Sequence, residues 1–196
     1  MSKRLFDFIF SLVFLLLFGW VIVVGYILAN IDTQSNGFFL QERIGQRGKV
    51  FTIYKLRTMH ARTHRISVLG YFFRKYKLDE IPQFINILNG TMSFVGPRPD
   101  IPGYADKLTG DDRKILNLKP GVTGLASLKY RNEEYLLSEQ AHPLEYNDQV
   151  IWPDKIQINK WYVENQTFLI DIKILWYTVV PHKLNIEKFM INNTNS

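Results

Sequence analysis

The chain has 196 residues, 46% hydrophobic and 21% charged, with a formal net charge of +6 and no cysteine. That length holds one ordinary domain plus an anchor, and the composition excludes a disordered chain. The missing cysteine excludes disulfides, thiolate zinc sites and cysteine nucleophiles. The positive charge asks for nucleic acid, an anionic membrane surface or a phosphorylated substrate, and the absence of a long basic tract argues against nucleic acid.

From Phe8 to Ala29 the chain is almost wholly apolar, interrupted by Ser11, Gly19 and Gly25. About twenty such residues, rising about 1.5 Å each, match a bilayer core. The run is too long for a signal peptide, and no small-residue cleavage site closes it. Lys3 and Arg4 precede it and hold the N-terminus on the cytoplasmic side. A simple span would carry the remainder outside, so a re-entrant segment is expected, with Gly19 and Gly25 as weak points. Phe38–Leu40 and Val50–Tyr54, separated by a segment with Gly45 and Gly48, read as a β-hairpin. Residues 66–76 place Ile66, Leu69, Phe72 and Phe73 before Arg74, Lys75 and Lys77, the pattern of a basic amphipathic helix.

Leu78 to Gly90 reads as a complete short helix: Asp79 and Glu80 start it, Pro82 falls in its first turn and Gly90 ends it. Pro97-Arg98-Pro99 reads as a stiff turn with Arg98 in a fixed direction. Residues 100–120 read as partly helical, and Lys119–Gly124 as a turn. Residues 131–150 are polar and carry no clear period. Phe168 to Val180, interrupted by Asp171 and Lys173, reads as a core or interfacial helix rather than a second span.

The acid pair carries the chemistry. A carboxylate that attacks phosphorus forms an acyl phosphate and splits one transfer into two displacements. The attack brings an anion to a diphosphate, so it calls for cations, a helix N-terminus and a divalent metal to hold the charge. Arg74 and Lys77 lie just before the pair and Arg98 follows it. Asp-Glu at a helix start is also ordinary capping, worth about 1 kcal/mol, and Pro-Arg-Pro is also an ordinary structural turn.

Several segments, in order, tip that balance: Lys3-Arg4-Leu5-Phe6-Asp7, Gln41-Glu42-Arg43-Ile44-Gly45, Tyr54-Lys55-Leu56-Arg57-Thr58-Met59, Leu69-Gly70 with Arg74-Lys75, Leu78-Asp79-Glu80-Ile81-Pro82-Gln83, Met92-Ser93-Phe94-Val95-Gly96-Pro97-Arg98-Pro99 and Pro120-Gly121-Val122-Thr123-Gly124. Over nearly its whole length the chain resembles the bacterial sugar transferases, the small monotopic phosphoglycosyl transferases. The resemblance implies that Asp79 attacks the β-phosphate of a UDP-sugar, releases UMP and passes the phosphosugar to undecaprenyl phosphate. It implies Glu80 as a ligand of Mg²⁺, Arg98 and Arg74 on phosphate, and Lys55 and Arg57 as general anion contacts.

The expected fold is α+β and mainly helical. Residues 1–31 form a re-entrant membrane helix; residues 32–196 form a compact catalytic domain with a β-hairpin and amphipathic interfacial helices, apposed to the cytoplasmic face of the bacterial inner membrane. Its partners are the UDP-sugar, undecaprenyl phosphate and membrane lipid, with no nucleic acid. Four departures stand out: Gly19-Trp20 where the family has a Ser-Pro break, Thr91 for an Asp, Leu125-Ala126-Ser127 for Trp-Ala-Gln, and Asn159 for an Asp. The competing class is a membrane-anchored, non-catalytic basic binding module.

Overall fold

The computed structural model describes residues 3–180 and 184–194. Its contacts gather into two compact units, one of Met1–Arg43 and Val50–Ser93, the other of Ile44–Lys49 and Phe94–Ser196.

The first unit is organised on one long helix, α1 (Lys3–Thr33), of 31 residues. Asp7, Ser11, Ile22, Gly25, Ala29 and Thr33 recur at helical spacing and form its buried stripe. The opposite face, including Leu5, Leu16, Trp20, Val23 and Ile31, is exposed and apolar. Only 17% of its most apolar window is buried, which a core helix of a soluble protein would not leave bare.

The helix runs through Gly19 and Gly25 without interruption, so the expected break is not there. Gly25 instead makes room for Leu56, whose methyl would lie 2.5 Å from an added Cβ. Both ends of α1 are tied into the same unit. At its start Arg4 donates to the Ile87 and Leu88 carbonyls, three turns in Phe14 stacks on Phe84 at 3.9 Å between centroids, and near its end Ala29 packs with Leu56 and Phe73.

The hairpin forms as expected, β1 (Phe38–Ile44) pairing with β2 (Val50–Leu56). Arg47 (φ 60°) and Gly48 (φ 76°) turn the connection through left-handed backbone. The basic helix is α2 (Val68–Lys75), capped by the Ser67 hydroxyl on Gly70 N–H at 2.8 Å. The acids depart from expectation: Leu78–Glu80 is a 3₁₀ turn, and α3 begins only at Gln83 and runs to Asn89. Pro82 has no N–H to give an α-helical ladder, so the preceding residues close with i→i+3 bonds, Glu80 to Lys77 and Ile81 to Leu78. Gly90 ends α3 in left-handed backbone, φ 86°, as its place in the sequence predicts.

In the second unit β3 (Ser93–Val95) pairs with β4 (Gly121–Thr123). The latter corrects the expected turn over 119–124: the Pro-Gly segment is a short strand whose partner lies far off in sequence. Between them run 3₁₀ turns at Ala105–Lys107 and Gly110–Asn117. The polar stretch after β4 forms α4 (Leu125–Lys129), α5 (Glu133–Ser138), α6 (Pro143–Tyr146) and a π-helical turn, Asn147–Ile151. Next come α7 (Trp152–Asn165), α8 (Phe168–Val179) and α9 (Ile186–Asn193). Val95, Leu125, Ile158, Tyr162, Ile170 and Ile174 centre the core. Within it the Tyr162 hydroxyl donates to the buried Asp171 carboxylate. The helix expected over Phe168 to Val180 is α8, with Ile170 and Ile174 inward and Leu169, Ile172, Trp176 and Val179 exposed.

Candidate active site

The 3₁₀ turn sets Asp79 and Glu80 between two fixed points, Lys77 in left-handed backbone (φ 55°) and Pro82 at the start of α3. Asp79 is buried. Its Oδ1 has no hydrogen-bond partner among the described residues. Burial lifts its carboxyl above the ordinary carboxylate value and the Glu80 charge lifts it further, while Lys55 and Lys77 pull it down. Glu80 is held by Lys55, which reaches from β2 with Nζ 3.1 Å from Oε1. Gln83, one turn along, is also buried, and its Nε2 likewise has no partner among the described residues. A carboxylate oxygen and an amide donor, both buried and both without partners among the described residues, are what a polar ligand would satisfy.

What holds this turn is largely Asn86 on α3, 1% exposed. Its Nδ2 donates to Thr52 O at 2.8 Å and its Oδ1 accepts from Tyr54 N–H at 3.1 Å, so it takes the place of a neighbouring strand at the edge of β2. The far end of α3 is capped by Arg4, whose guanidinium donates to Ile87 O (2.6 Å) and Leu88 O (2.8 Å). A cation on free C-terminal carbonyls stabilises a helix end.

The other basic residues singled out in the sequence have distinct placements. Arg74 donates from Nε to Thr58 Oγ1 at 3.0 Å. Gly70 lies so close to the Thr58 carbonyl that a Cβ would collide with it, so the Leu-Gly and Lys-x-Arg-Thr segments meet at Thr58. Arg57 is spent locally: Nε donates to Asn36 O at 2.8 Å, and the guanidinium lies over the Phe39 ring.

Arg98 belongs to the second unit. Pro97 and Pro99 are buried while Arg98 is exposed. The turn is seated by Gly96 N–H on Thr123 O (3.0 Å) and Gly121 N–H on Pro97 O (2.9 Å). Thus the structure groups Asp79, Glu80 and Lys55, sets Arg74 and Arg57 in the same unit on their own partners, and carries Arg98 in the other. Asn86 is not marked by the sequence, and Gln83 stands in the matched Leu78–Gln83 segment without a role of its own. One of two Asn in a short apolar helix gives no sign that it pairs with a strand more than thirty residues earlier.

No cluster of three or more metal-ligating side chains occurs among the described residues. Magnesium is commonly held by one or two carboxylates plus substrate phosphates. Glu80, next to Asp79 and with one carboxylate oxygen 3.1 Å from Lys55 Nζ, is the carboxylate that fits that donor set.

Residues 1–183 match the family model described as bacterial sugar transferase. The chain is 33% identical to the uncharacterized sugar transferase EpsL of Bacillus subtilis, covering 90% of this chain and 85% of that protein. It is 31% identical to the UDP-glucose:undecaprenyl-phosphate glucose-1-phosphate transferase of Klebsiella pneumoniae, across 93% of this chain and 40% of that protein. It is 29% identical to the undecaprenyl-phosphate galactose phosphotransferase of Salmonella typhimurium, across 90% of this chain and 39% of that protein. The chain therefore spans well under half the length of these last two relatives.

Proposed function

The chain belongs to the bacterial sugar transferase family, and from that membership we propose that it moves a sugar 1-phosphate from a UDP-sugar to undecaprenyl phosphate through a covalent Asp79 intermediate. The observation that carries the reading is the buried Asp79 carboxylate with an idle oxygen, beside a Glu80 already neutralised by Lys55. Asp79 Oδ1 attacks the β-phosphorus of the donor. The bond from that phosphorus to the bridging oxygen breaks, and its electron pair leaves with UMP. A phosphate oxygen of undecaprenyl phosphate then attacks the same phosphorus and frees Asp79, giving the diphosphate-linked sugar that begins glycoconjugate assembly. Arg98 and Arg74 contact phosphate, and Lys55 and Arg57 contribute positive field. Glu80, with Asp79 beside it, would hold Mg²⁺, which supplies charge neutralisation at the diphosphate.

The catalytic part works at the cytoplasmic face of the inner membrane, with both termini on that side. The support is the double attachment of α1: Arg4 to the end of α3, and Asp32, through the Ser67 hydroxyl, to the start of α2. A helix tied at both ends to one unit, and bare and apolar along its outer face, enters the bilayer from one side without delivering that unit across it. The exposed Val68, Tyr71, Phe72 and Tyr76 of the α2 region, and Leu169, Ile172 and Trp176 of α8, are assigned to the lipid interface.

Two measurements test the chemistry. Asp79→Asn lowers UMP release from UDP-sugars by about a thousandfold or more. Donor without acceptor adds the mass of a phosphosugar to the Asp79 peptide. Equal release by variant and wild type, or an adduct on another residue, overturns the assignment.

A further inference from the structure

Between Arg57 and Lys77 the chain carries Arg57, Arg62, Arg65, Arg74, Lys75 and Lys77 and not one acid. With these six set aside, the remaining Lys and Arg equal the Asp and Glu in number, so this stretch accounts for the entire net charge of +6. Arg57 and Arg74 have the inward partners already described. Arg62 and Arg65 do not: they sit on a short exposed loop, residues 61–65, where their guanidinium groups have no hydrogen bond or ion pair among the described residues.

The loop is built, not slack. Met59 and Ile66 bridge at its base, His60 N–H donates to Arg65 O at 3.0 Å, and His64 (φ 53°) donates from N–H to His60 O at 3.0 Å. This closure projects Arg62 and Arg65 from the end of a tight turn. Just past the base, Asp32 of α1 accepts from the Ser67 hydroxyl. Each residue of that bond is followed or preceded by a bare aliphatic side chain, Ile31 at 70% and Val68 at 89% exposure. The exposed rings of Tyr71, Phe72 and Tyr76 follow along α2. An apolar and aromatic surface therefore runs from the end of α1 onto α2, with a cationic tip at its edge.

We infer that the loop His60–Arg65 is a headgroup-binding element that seats the first unit on anionic glycerophospholipids, with Arg62 and Arg65 as the phosphate contacts. The two halves of the surface match the two layers of a leaflet. Aliphatic and aromatic groups suit the acyl and interfacial region, and free guanidinium groups suit lipid phosphates just outside it. A nucleotide diphosphate would also attract arginine, but the continuity with Ile31 and Val68 favours lipid. The inference rests on the membrane-apposed reading above and adds to it a preference for lipid charge.

The chain has no cysteine, so single spin labels can be placed at Thr63→Cys on the loop and at Val68→Cys on α2. Each labelled full-length protein is reconstituted in nanodiscs of phosphatidylcholine alone or containing phosphatidylglycerol, and label accessibility to a water-soluble relaxing agent is read. The Val68 label is expected to be shielded in both. The Thr63 label is expected to be shielded only with phosphatidylglycerol, with the shielded-to-free ratio falling about fivefold for each of Arg62→Ser and Arg65→Ser and falling again in high salt. A Thr63 label indifferent to lipid charge while the Val68 label is shielded overturns the headgroup inference alone. A Val68 label exposed in both discs overturns the membrane-apposed reading as well. Shielding of Thr63 that follows added UDP-sugar or undecaprenyl phosphate, rather than phosphatidylglycerol, assigns the loop to substrate and also overturns the inference.

Discussion

Arg98 is carried by a ribbon in which glycine meets glycine, whereas Asp79 is carried by a turn that side chains pin from elsewhere in its unit. At the ribbon a Cβ on Gly96 would strike Lys119 O, one on Gly121 would strike Gly96 N, and one on Gly124 would strike Gly96 O. Backbone packed on backbone cannot give way, so those three positions are fixed by space. At the acid turn the holding contacts are Asn86 on β2, Lys55 on Glu80 and Arg4 on the end of α3. Polar side chains hold a turn while still setting the field on the group it presents. One motif needs only a rigid direction for an exposed cation; the other needs a desolvated carboxylate whose ionisation is tuned.

The largest expected effects break the ribbon. Gly121→Ala forces a backbone shift and costs about 3 kcal/mol in unfolding free energy, read as a lowered denaturant midpoint in detergent. Arg98→Ala, by contrast, leaves that midpoint within about 0.5 kcal/mol, because the side chain is exposed, yet is expected to lower UMP release about a hundredfold through loss of the proposed phosphate contact. A stable Gly121→Ala protein would show that the ribbon opens without penalty, and the contrast with the acid turn would vanish.

A smaller loss is expected at the acid turn. Asn86→Leu conserves volume but strands the Thr52 carbonyl and the Tyr54 N–H, at a cost of about 2 kcal/mol. Hydrogen exchange at Tyr54 distinguishes this from general loosening: that amide is expected to lose protection before those paired between β1 and β2. Unchanged protection would mean that water replaces Asn86 and that α3 is held by its apolar contacts alone.

How much of this was legible in the sequence follows the same division. The hairpin, α2, α8 and the Gly90 stop are local patterns, and residue periodicity or one left-handed glycine suffices to place them. Pro97 and Pro99 likewise announced a stiff Arg98. The ribbon was not legible, because strands of three residues carry no alternation and their pairing joins positions far apart in sequence; Gly121 read as a turn for that reason. The 3₁₀ geometry at Asp79 was missed because the rule that Pro fits a helix's first turn does not say where the helix begins. Gly25 looked like a weak point in α1, whereas its lack of a side chain serves Leu56. Arg4 read as a topology signal and also caps a helix some eighty residues away.

The finest test of the comparison is pH, since only the acid turn tunes a charge. Burial, with Glu80 adding to it, raises the Asp79 carboxyl above its ordinary value. The folded state therefore binds that proton more tightly than the unfolded chain. Its contribution to stability is complete below about pH 4 and is lost as pH rises through the raised value. Asp79→Asn cannot ionise, so its stability relative to wild type is expected to climb across that same window and then level off. Under the proposed mechanism catalysis runs the other way, because an attacking carboxylate must be ionised, and single-turnover UMP release is expected to rise where stability falls. Glu80→Gln removes a charge that raises the Asp79 carboxyl, and so moves the stability step to lower pH. Lys55→Met removes one that lowers it, and so moves the step to higher pH. Denaturant midpoints for the four proteins across the acid range decide this. Steps that coincide in wild type, Glu80→Gln and Lys55→Met would mean that neither neighbour sets the charge of Asp79, leaving both units with motifs that are merely positioned.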